Sequence, residues 1–248
     1  RGFLRVQFLA VALAATVSPG VSAQDDGPKL VIMLVVDQLR GDLLDRYEPA
    51  FTAGFRQLLD EGFRFTQASH AHARTSTAPG HATLTTGVHP SRHGVVANSW
   101  YEQIGFAWES SYAVGDPPSP ILDFETEPSL PGRSPKTILR EGLPDWLHNA
   151  NDRSRRISIS KKDRAAITMG GQTSEHVYWL LPELGRFITS THYRNRYPRW
   201  LERFNQRVMP AIAEEPVWDT GVPERFRSLA RPDGAAYEYE GIHSTFPH

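Results

Sequence analysis

The segment KLVIMLVV, residues 29–36, is the first strong feature of the hydrophobic pattern after the N-terminus. An almost continuous apolar run rich in β-branched residues predicts a central strand buried on both faces. Asp37 follows it directly, and the carboxyl ends of strands are where open α/β sheets place their ligands. This position leaves two interpretations of Asp37 open, a metal ligand and a turn residue that caps the next element.

Helical and strand patterns alternate through much of the remaining chain. Apolar residues on one face of a 3.6-residue period predict helices, whereas alternating apolar and polar residues predict strands. Helices are predicted over 49–61, 136–150 and 197–213, the last up to Pro210, and strands over 63–66 and 155–160. Residues 102–135, rich in Pro, Ser and Asp, predict a long surface excursion, and 169–193 predict a small β-rich insertion.

Residues 72–101 contain the most informative polar positions. Pro79 suits the first turn of a helix, and a short helix is predicted over residues 82–86 with Gly87 as its stop. Thr77 then lies at a helix N-terminus, where free N–H groups and the helix dipole favour negative charge. It is either an N-cap, the ordinary role of threonine there, or a nucleophile aimed at a bound phosphate. The second role needs an activator such as a metal ion, because a hydroxyl does not ionise unaided at neutral pH.

Other polar residues nearby have ordinary structural explanations. His89 and His93 have the spacing of a helical metal pair, but Pro90 argues against a regular helix, which favours loop histidines over ligands. Asn98 is by default a turn residue that bonds the backbone. The KKDR cluster at 161–164 is typical of a solvated strand end.

Composition narrows the classes of function. A chain of 248 residues can form one large or two modest domains, and its 40% hydrophobic content supports a packed core. The formal net charge of −1 gives no argument for a nucleic-acid partner or for an anionic membrane surface. Because cysteine is absent, disulfides, thiolate nucleophiles and cysteine-based zinc sites are excluded.

Residues 1–23 have the pattern of a signal peptide. Arg1 and Arg5 form a positive n-region, residues 8–17 form an apolar segment too short to span a bilayer, and residues 21–23 (VSA) form a cleavage site. We therefore expect an exported protein, periplasmic or secreted, with no stable membrane span once the signal is removed.

Four separated motifs resemble a single family. They are VVDQLRGD at 35–42, TSTAPGHATLTTG at 75–87, HGVVANSWY at 93–101 and SKKDRAAI at 160–167. In this order they resemble the nucleotide pyrophosphatase/phosphodiesterase branch of the alkaline phosphatase superfamily. The similarity is closest to secreted bacterial alkaline phosphatases with a threonine nucleophile, and residues 177–205 resemble their cap insertion.

The resemblance implies an α/β fold with a central, mostly parallel sheet flanked by helices, together with a small cap insertion. Residues 24–168 would form the N-terminal part of this alkaline-phosphatase-like domain. Residues 169–248 would form the cap region.

The same resemblance implies a role for each matching polar residue. Thr77 would be the nucleophile that is phosphorylated and then released by water. Asp37 would ligate one of two zinc ions, the one that also binds the Thr77 oxygen. Asn98 would donate to a phosphate oxygen, and Lys162 and Arg164 would bind the remaining oxygens.

The implied activity is zinc-dependent hydrolysis of a small phosphate monoester through a phosphothreonine intermediate. Two cations, Lys162 and Arg164, suit the dianion of a monoester better than the single charge of a diester. A phosphodiesterase or nucleotide pyrophosphatase of the same superfamily is the alternative enzyme. A sulfatase is disfavoured, because it would have Cys or Ser in place of Thr77 and Arg in place of His81.

The sequence departs from the family at the remaining metal ligands. Family members hold their zinc ions with an Asp-x-x-x-His motif and an adjacent Asp-His pair, and neither occurs in this chain. The expectation is therefore a truncated chain, roughly the N-terminal half of a longer enzyme, that is inactive in isolation. A non-catalytic secreted protein that binds phosphate through the same residues is the alternative from a different class. The sequence carries no signal of oligomeric state.

Overall fold

The computed structural model describes residues 28–214, 219–234 and 245–246. Its α-helices are α1 (Asp42–Arg46), α2 (Ala53–Glu61), α3 (Thr77–Thr86), α4 (Pro90–His93), α5 (Leu143–Ala150), α6 (Asp163–Gly170) and α7 (Arg199–Ala213). Its strands are β1 (Ser99–Ile104), β2 (Ala107–Tyr112), β3 (Ile157–Ser160), β4 (His176–Leu181) and β5 (Arg186–Ile188). Short 3₁₀ helices occupy Glu48–Ala50, Pro182–Leu184 and Glu224–Leu229. All of these elements lie in the second of two compact units, residues 36–248, and the predicted signal peptide lies outside the described residues.

The strands form two small sheets. β1 and β2 make an antiparallel hairpin, while β4 pairs in parallel with β3 on one edge and antiparallel with β5 on the other. α6 connects β3 to β4, which makes β3, α6 and β4 a βαβ unit. The predicted α/β class is confirmed, and β3–β4 is the one parallel pair in the described part of the chain. This sheet joins strands from both sides of the predicted boundary at residue 168, and the division into domains stays a prediction.

The hydrophobic core is centred on β4. Val177 and Trp179 pack with Ile167 of α6 and Ile188 of β5 in the largest buried cluster. A second cluster joins α3 to the segment after α4 and to the loop before α5, and a third joins Tyr178 of β4 to α7. Each fully buried side chain of this size contributes about 1.5–3 kcal/mol. The βαβ unit is therefore the part of the molecule on which the other helices are held.

α3 packs directly on α6. Both helices carry small buried side chains, Ala78 and Ala82 on α3 and Ala165 and Ala166 on α6. Small side chains permit close approach of helices, because the distance between helix axes depends on the residues at the contact. The start of α3 is thereby fixed relative to the βαβ unit.

Residues 29–36 do not form the predicted buried strand. The segment has no helix or strand in the structure, and Leu30, Ile32 and Leu34 are each at least 75% exposed. A strand that is apolar on both faces requires paired neighbours and covering layers on both sides. No strand in the described residues pairs with it, so the apolar pattern is present without the partners that it needs.

Several predicted helices have different bounds. The helix expected over 49–61 begins only at Ala53, and its apolar face is not covered, since Leu58 is 65% exposed. The helix expected over 136–150 begins at Leu143. α7 runs through Pro210 instead of breaking there, because one lost hydrogen bond does not outweigh the bonds on either side. Within the described residues no helix is both long enough and apolar enough to cross a bilayer.

Two predictions for irregular or extended segments were wrong. Residues 63–66 are not a strand, and Phe63 and Phe65 are exposed. The segment 102–135 is not only a surface excursion, because it supplies most of the β1–β2 hairpin and the buried residues Val114 and Ile121. Isolated apolar residues among turns can enter a core without any periodicity that a sequence pattern would detect.

A buried carboxylate ties α5 to the loop that follows α6. Asp145 is fully buried, and its oxygens accept the backbone N–H groups of Gly142, Gln172 and Thr173 together with the Thr173 hydroxyl. Gly171 has φ +67°, and a Cβ there would lie 2.6 Å from Asp145 Oδ2. The loop therefore needs both the carboxylate and a glycine.

Replacement of Asp145 by Ala is expected to lower the free energy of unfolding by about 3–5 kcal/mol, because buried donors would lose their acceptor. Urea unfolding followed by circular dichroism measures the change. The exposed Asp152 serves as a control, and Asp152→Ala is expected to change stability by less than about 0.5 kcal/mol. Equal effects of the two substitutions would contradict a stabilising role for Asp145.

Candidate functional site

The site is built around the first turn of α3. Thr77 is the first helical residue and Ser76 is the N-cap, so the interpretation of Thr77 as the cap is wrong. Pro79 lies in the first turn, and the helix ends at Gly87 with φ +67°, both as predicted. Ser76 Oγ is screened from solvent and has no hydrogen-bond partner among the described residues. The helix thus begins with N–H groups that its own cap does not satisfy.

One carboxylate contacts two of the other predicted site residues. Asp37 Oδ2 accepts a hydrogen bond from Thr77 Oγ1 at 2.9 Å and lies 3.7 Å from Lys162 Nζ. Asp37 stands at a turn in which Gln38 has φ +67°. Thr77 is 8% exposed, whereas the side chains of Asp37 and Lys162 are about half exposed. Because Lys162 is the N-cap of α6, the N-terminal ends of two helices lie beside Asp37.

Asn98 lies beside Thr77 through the backbone. Its Oδ1 accepts the N–H of Ala78 at 2.9 Å, which satisfies one of the free donors of the first turn of α3. With Oδ1 occupied, the Nδ2 group of Asn98 is the part of the side chain that can donate to a ligand.

Arg164 is held by a separate network. Its Nη1 donates to the Tyr112 hydroxyl at 3.1 Å, and that hydroxyl donates to Asp163 Oδ1 at 2.7 Å. Arg133 Nε donates to the other oxygen of Asp163 at 2.6 Å, and the Arg133 guanidinium lies 4.8 Å from the centre of the Tyr112 ring. Burial, and next the neighbouring Asp163 carboxylate, raises the pKa of Tyr112 to about 12.

Among the described residues, no hydrogen bond joins Arg164 to Asp37, Thr77 or Lys162. Arg164 lies on α6, two residues beyond Lys162. Tyr112 and Arg133 were missed by sequence reasoning, because both lie in the segment 102–135 that was predicted to be a surface excursion. The signal for Asp163 was its place between Lys162 and Arg164, where a carboxylate can orient a cation.

Asp37 and Thr77 offer two neighbouring oxygen atoms to a metal ion. Zinc sites use three or four protein ligands, and carboxylate oxygens are among the ligand types that zinc accepts. In the described ranges there is no group of three His, Cys, Asp or Glu side chains that could hold an ion. Within the described residues, Asp37 and Thr77 therefore fit part of one zinc site.

His89 and His93 do not lie in the irregular loop that was predicted. Pro90 is the first residue of the short helix α4, a position where proline is favoured, so it begins a helix instead of preventing one. His93 is fully buried, with Nδ1 accepting the Val95 N–H at 3.2 Å and Nε2 bonded to Thr83 Oγ1 at 3.1 Å. The bond to Thr83 connects α4 to α3.

Burial lowers the pKa of His93 from 6.5 to about 4, with a smaller effect from the nearby His72. Because the pKa in the folded state is depressed, the unfolded chain binds a proton that the folded chain does not, between about pH 6.5 and pH 4. Stability is therefore expected to fall as the pH falls through this window.

Urea unfolding at pH 7 and at pH 4.5 measures this loss. His93→Gln is expected to reduce the difference between the two pH values, since the titrating group is gone and other groups cancel in the comparison. His148→Gln, on the partly exposed α5, is the matched control and should leave the difference as in the unmodified protein. Identical pH dependence in all three proteins would contradict the assignment to His93.

Comparison with known proteins places these residues in a family context. The sequence profile of the type I phosphodiesterase/nucleotide pyrophosphatase family matches residues 31–242. The chain is 36% identical over 241 residues to the alkaline phosphatase PhoV of Synechococcus elongatus, which covers 94% of this chain and 43% of PhoV. It is 34% identical over 218 residues to the alkaline phosphatase PafA of Elizabethkingia meningoseptica, which covers 87% of this chain and 39% of PafA.

Solved structures of PafA match the fold. The crystal structure of the wild-type enzyme aligns with a TM-score of 0.75 and 31% identity, over 81% of this chain and 38% of PafA. A PafA variant in which a threonine, an asparagine, a lysine and an arginine are replaced aligns with the same TM-score at 29% identity, over 81% of this chain and 39% of the variant. The chain thus spans less than half the length of these relatives.

Proposed function

This chain belongs to the type I phosphodiesterase/nucleotide pyrophosphatase family, and we propose that it supplies the nucleophile and the phosphate-binding side chains of an alkaline phosphatase acting on small phosphate monoesters. The observation that carries the proposal is the Asp37 carboxylate, which holds the Thr77 hydroxyl and lies near the Lys162 ammonium beside the first turn of α3. Similarity to PhoV and PafA, both named alkaline phosphatases, supports it.

In the proposed reaction Thr77 Oγ1 attacks the phosphorus, the bond from phosphorus to the ester oxygen breaks, and the alcohol leaves. Water then cleaves the phosphothreonine and restores the Thr77 hydroxyl. Free N–H groups at the start of α3 favour the phosphate oxygens, and Lys162 and Arg164 add positive charge. Asn98 contributes Nδ2 as a further donor, since its Oδ1 is engaged by the backbone.

We propose two Zn²⁺ ions as cofactors, with Asp37 and Thr77 as partial ligands of one of them. Zinc, when bound, would lower the pKa of the threonine hydroxyl and so make it a usable nucleophile. Asp37 Oδ2 orients that hydroxyl by accepting its hydrogen at 2.9 Å. The other ligands would have to come from outside the described residues, which hold no group of three metal-binding side chains.

Hydrolysis of phosphodiesters or of nucleotide pyrophosphates is the second candidate, and the description of the matching family favours it. We prefer the monoester because of its charge. A monoester carries two negative charges and is matched by Lys162 and Arg164, whereas a diester carries one.

The PafA variant supports this choice of residues. The residue types replaced in it are those of Thr77, Asn98, Lys162 and Arg164. The spacing from threonine to asparagine and the spacing from lysine to arginine are also the same in the two proteins. We propose in addition that the protein is exported to the periplasm or the medium, on the basis of residues 1–23, and that nucleic acid is not its partner.

Thr77→Ala is expected to lower the rate of hydrolysis of p-nitrophenyl phosphate by about a thousandfold or more, because the proposed nucleophile is removed. The assay uses the protein purified from its source cells in buffer containing zinc. Thr77→Ser keeps a hydroxyl and is the control that should retain part of the activity. Full activity in Thr77→Ala would contradict the proposed function. So would a protein that binds phosphate in the presence of a metal chelator but hydrolyses no phosphate ester.

Tyr112→Phe is expected to weaken binding of inorganic phosphate by about tenfold, because Arg164 loses the hydroxyl that holds it in place. The inhibition constant of phosphate against p-nitrophenyl phosphate measures the effect. Tyr101, on β1 and 71% exposed, provides the control substitution Tyr101→Phe, for which no change is expected. An unchanged inhibition constant in Tyr112→Phe would rule out a positioning role for Tyr112.

A further inference from the structure

A cavity of about 310 Å³ opens at the carboxyl ends of β3 and β4. Its lining includes Ile121, Trp179 and Ile188, none of which is more than 4% exposed. Leu130 and Leu181, both partly exposed, also line it. The volume is at the lower end of the range for small-molecule sites, and the carboxyl ends of parallel strands are where α/β sheets hold ligands. We call it the Leu181 cavity.

Lys162 joins the Leu181 cavity to the proposed nucleophile. Its side chain lines the cavity, while its Nζ lies 3.7 Å from the carboxylate oxygen of Asp37 that accepts the Thr77 hydroxyl. Lys162 therefore borders the cavity and also approaches the carboxylate that accepts the Thr77 hydroxyl. An ester whose phosphate contacts Lys162 has the cavity within reach of its organic group.

The residues that line the Leu181 cavity favour an apolar organic group. Arg133 and Asp163 also line the cavity, but they neutralise each other in an ion pair of 2.6 Å. Lys161 and Glu183 are exposed. The buried lining residues Ile121, Trp179 and Ile188 present hydrocarbon and aromatic surface, where a charged or heavily hydroxylated group would lose hydration without compensation.

We propose that the Leu181 cavity binds the organic group of the phosphate monoester and prefers an aromatic ring or a branched alkyl chain to a small or charged group. Leu130 and Leu181 are then residues that determine specificity, because they are partly exposed apolar side chains in the lining. The inference rests on the proposed phosphatase function, since it takes the phosphate to contact Lys162.

The direct test is binding of two non-hydrolysable probes, benzylphosphonate and methylphosphonate, to the protein purified from its source cells. Calorimetry is expected to show benzylphosphonate binding about tenfold or more tightly. Leu181→Trp and Leu130→Trp each fill the cavity and should remove the preference while leaving methylphosphonate binding intact, which also shows that the variant is folded. Leu184→Trp, in the same connection between β4 and β5 but outside the cavity, is the matched control and should keep the preference.

A kinetic comparison separates this proposal from the phosphatase proposal. Benzyl phosphate and methyl phosphate release alcohols of similar acidity, so a difference in kcat/KM reports binding of the organic group. The ratio of kcat/KM for benzyl phosphate to kcat/KM for methyl phosphate is then compared between the unmodified protein and the Leu181→Trp and Leu130→Trp variants. An unchanged ratio overturns the cavity proposal and leaves the phosphatase proposal standing. A second outcome is a protein that hydrolyses neither ester but prefers benzylphosphonate, with the preference lost in both Trp variants. That outcome supports the cavity proposal and refutes the phosphatase proposal. Equal binding of the two phosphonates to the unmodified protein refutes the cavity directly.

Discussion

The N-terminal ends of two helices lie beside one carboxylate, that of Asp37, and the packing of the surrounding helices and strands holds them there. Thr77 begins α3, Lys162 precedes α6, and both are near Asp37 Oδ2. α6 is fixed by the βαβ unit through β3 and β4, and α3 is fixed by packing on α6. Asp145 secures the loop after α6 by accepting the backbone N–H groups of Gln172 and Thr173. Since a misplacement of about 1 Å can cost a hundredfold in rate, catalysis by this group would depend on the packing of the whole unit.

Two structural networks divide the proposed work of phosphate recognition. The Asp37 carboxylate is partly exposed and would orient Thr77, the proposed nucleophile. The network of Tyr112, Arg133 and Asp163 is more buried and holds Arg164 in one place. The same ion pair of Arg133 with Asp163 borders the Leu181 cavity, so the side chains that would position the phosphate also border the proposed place for its organic group.

The sequence predicted correctly those elements that depend on neighbouring residues. It did not predict those that depend on contacts with residues far away in the chain. Pro79 and Gly87 marked the first turn and the end of α3, and the strand at 155–160 exists as β3, because these features depend on a few neighbouring residues. The strand at 29–36 was wrong, since burial on two faces depends on strands that the described residues do not provide. Tyr112 and Arg133 reach Asp163 across 51 and 30 residues, and no local pattern encodes such contacts. The proximity of Thr77 to Lys162 followed from family resemblance and not from either segment taken alone.

The burial of Tyr112 has a consequence for chemistry in alkaline solution. An ordinary tyrosine has a pKa near 10, so at that pH about half of such hydroxyls are phenolate. A phenolate at this position could no longer donate to Asp163, and it would place a second anion against the first. With its pKa raised to about 12, the Tyr112 hydroxyl remains both a donor to Asp163 and an acceptor for Arg164 at pH 10. A single desolvated phenol thus extends the range of base in which the arginine keeps its orientation.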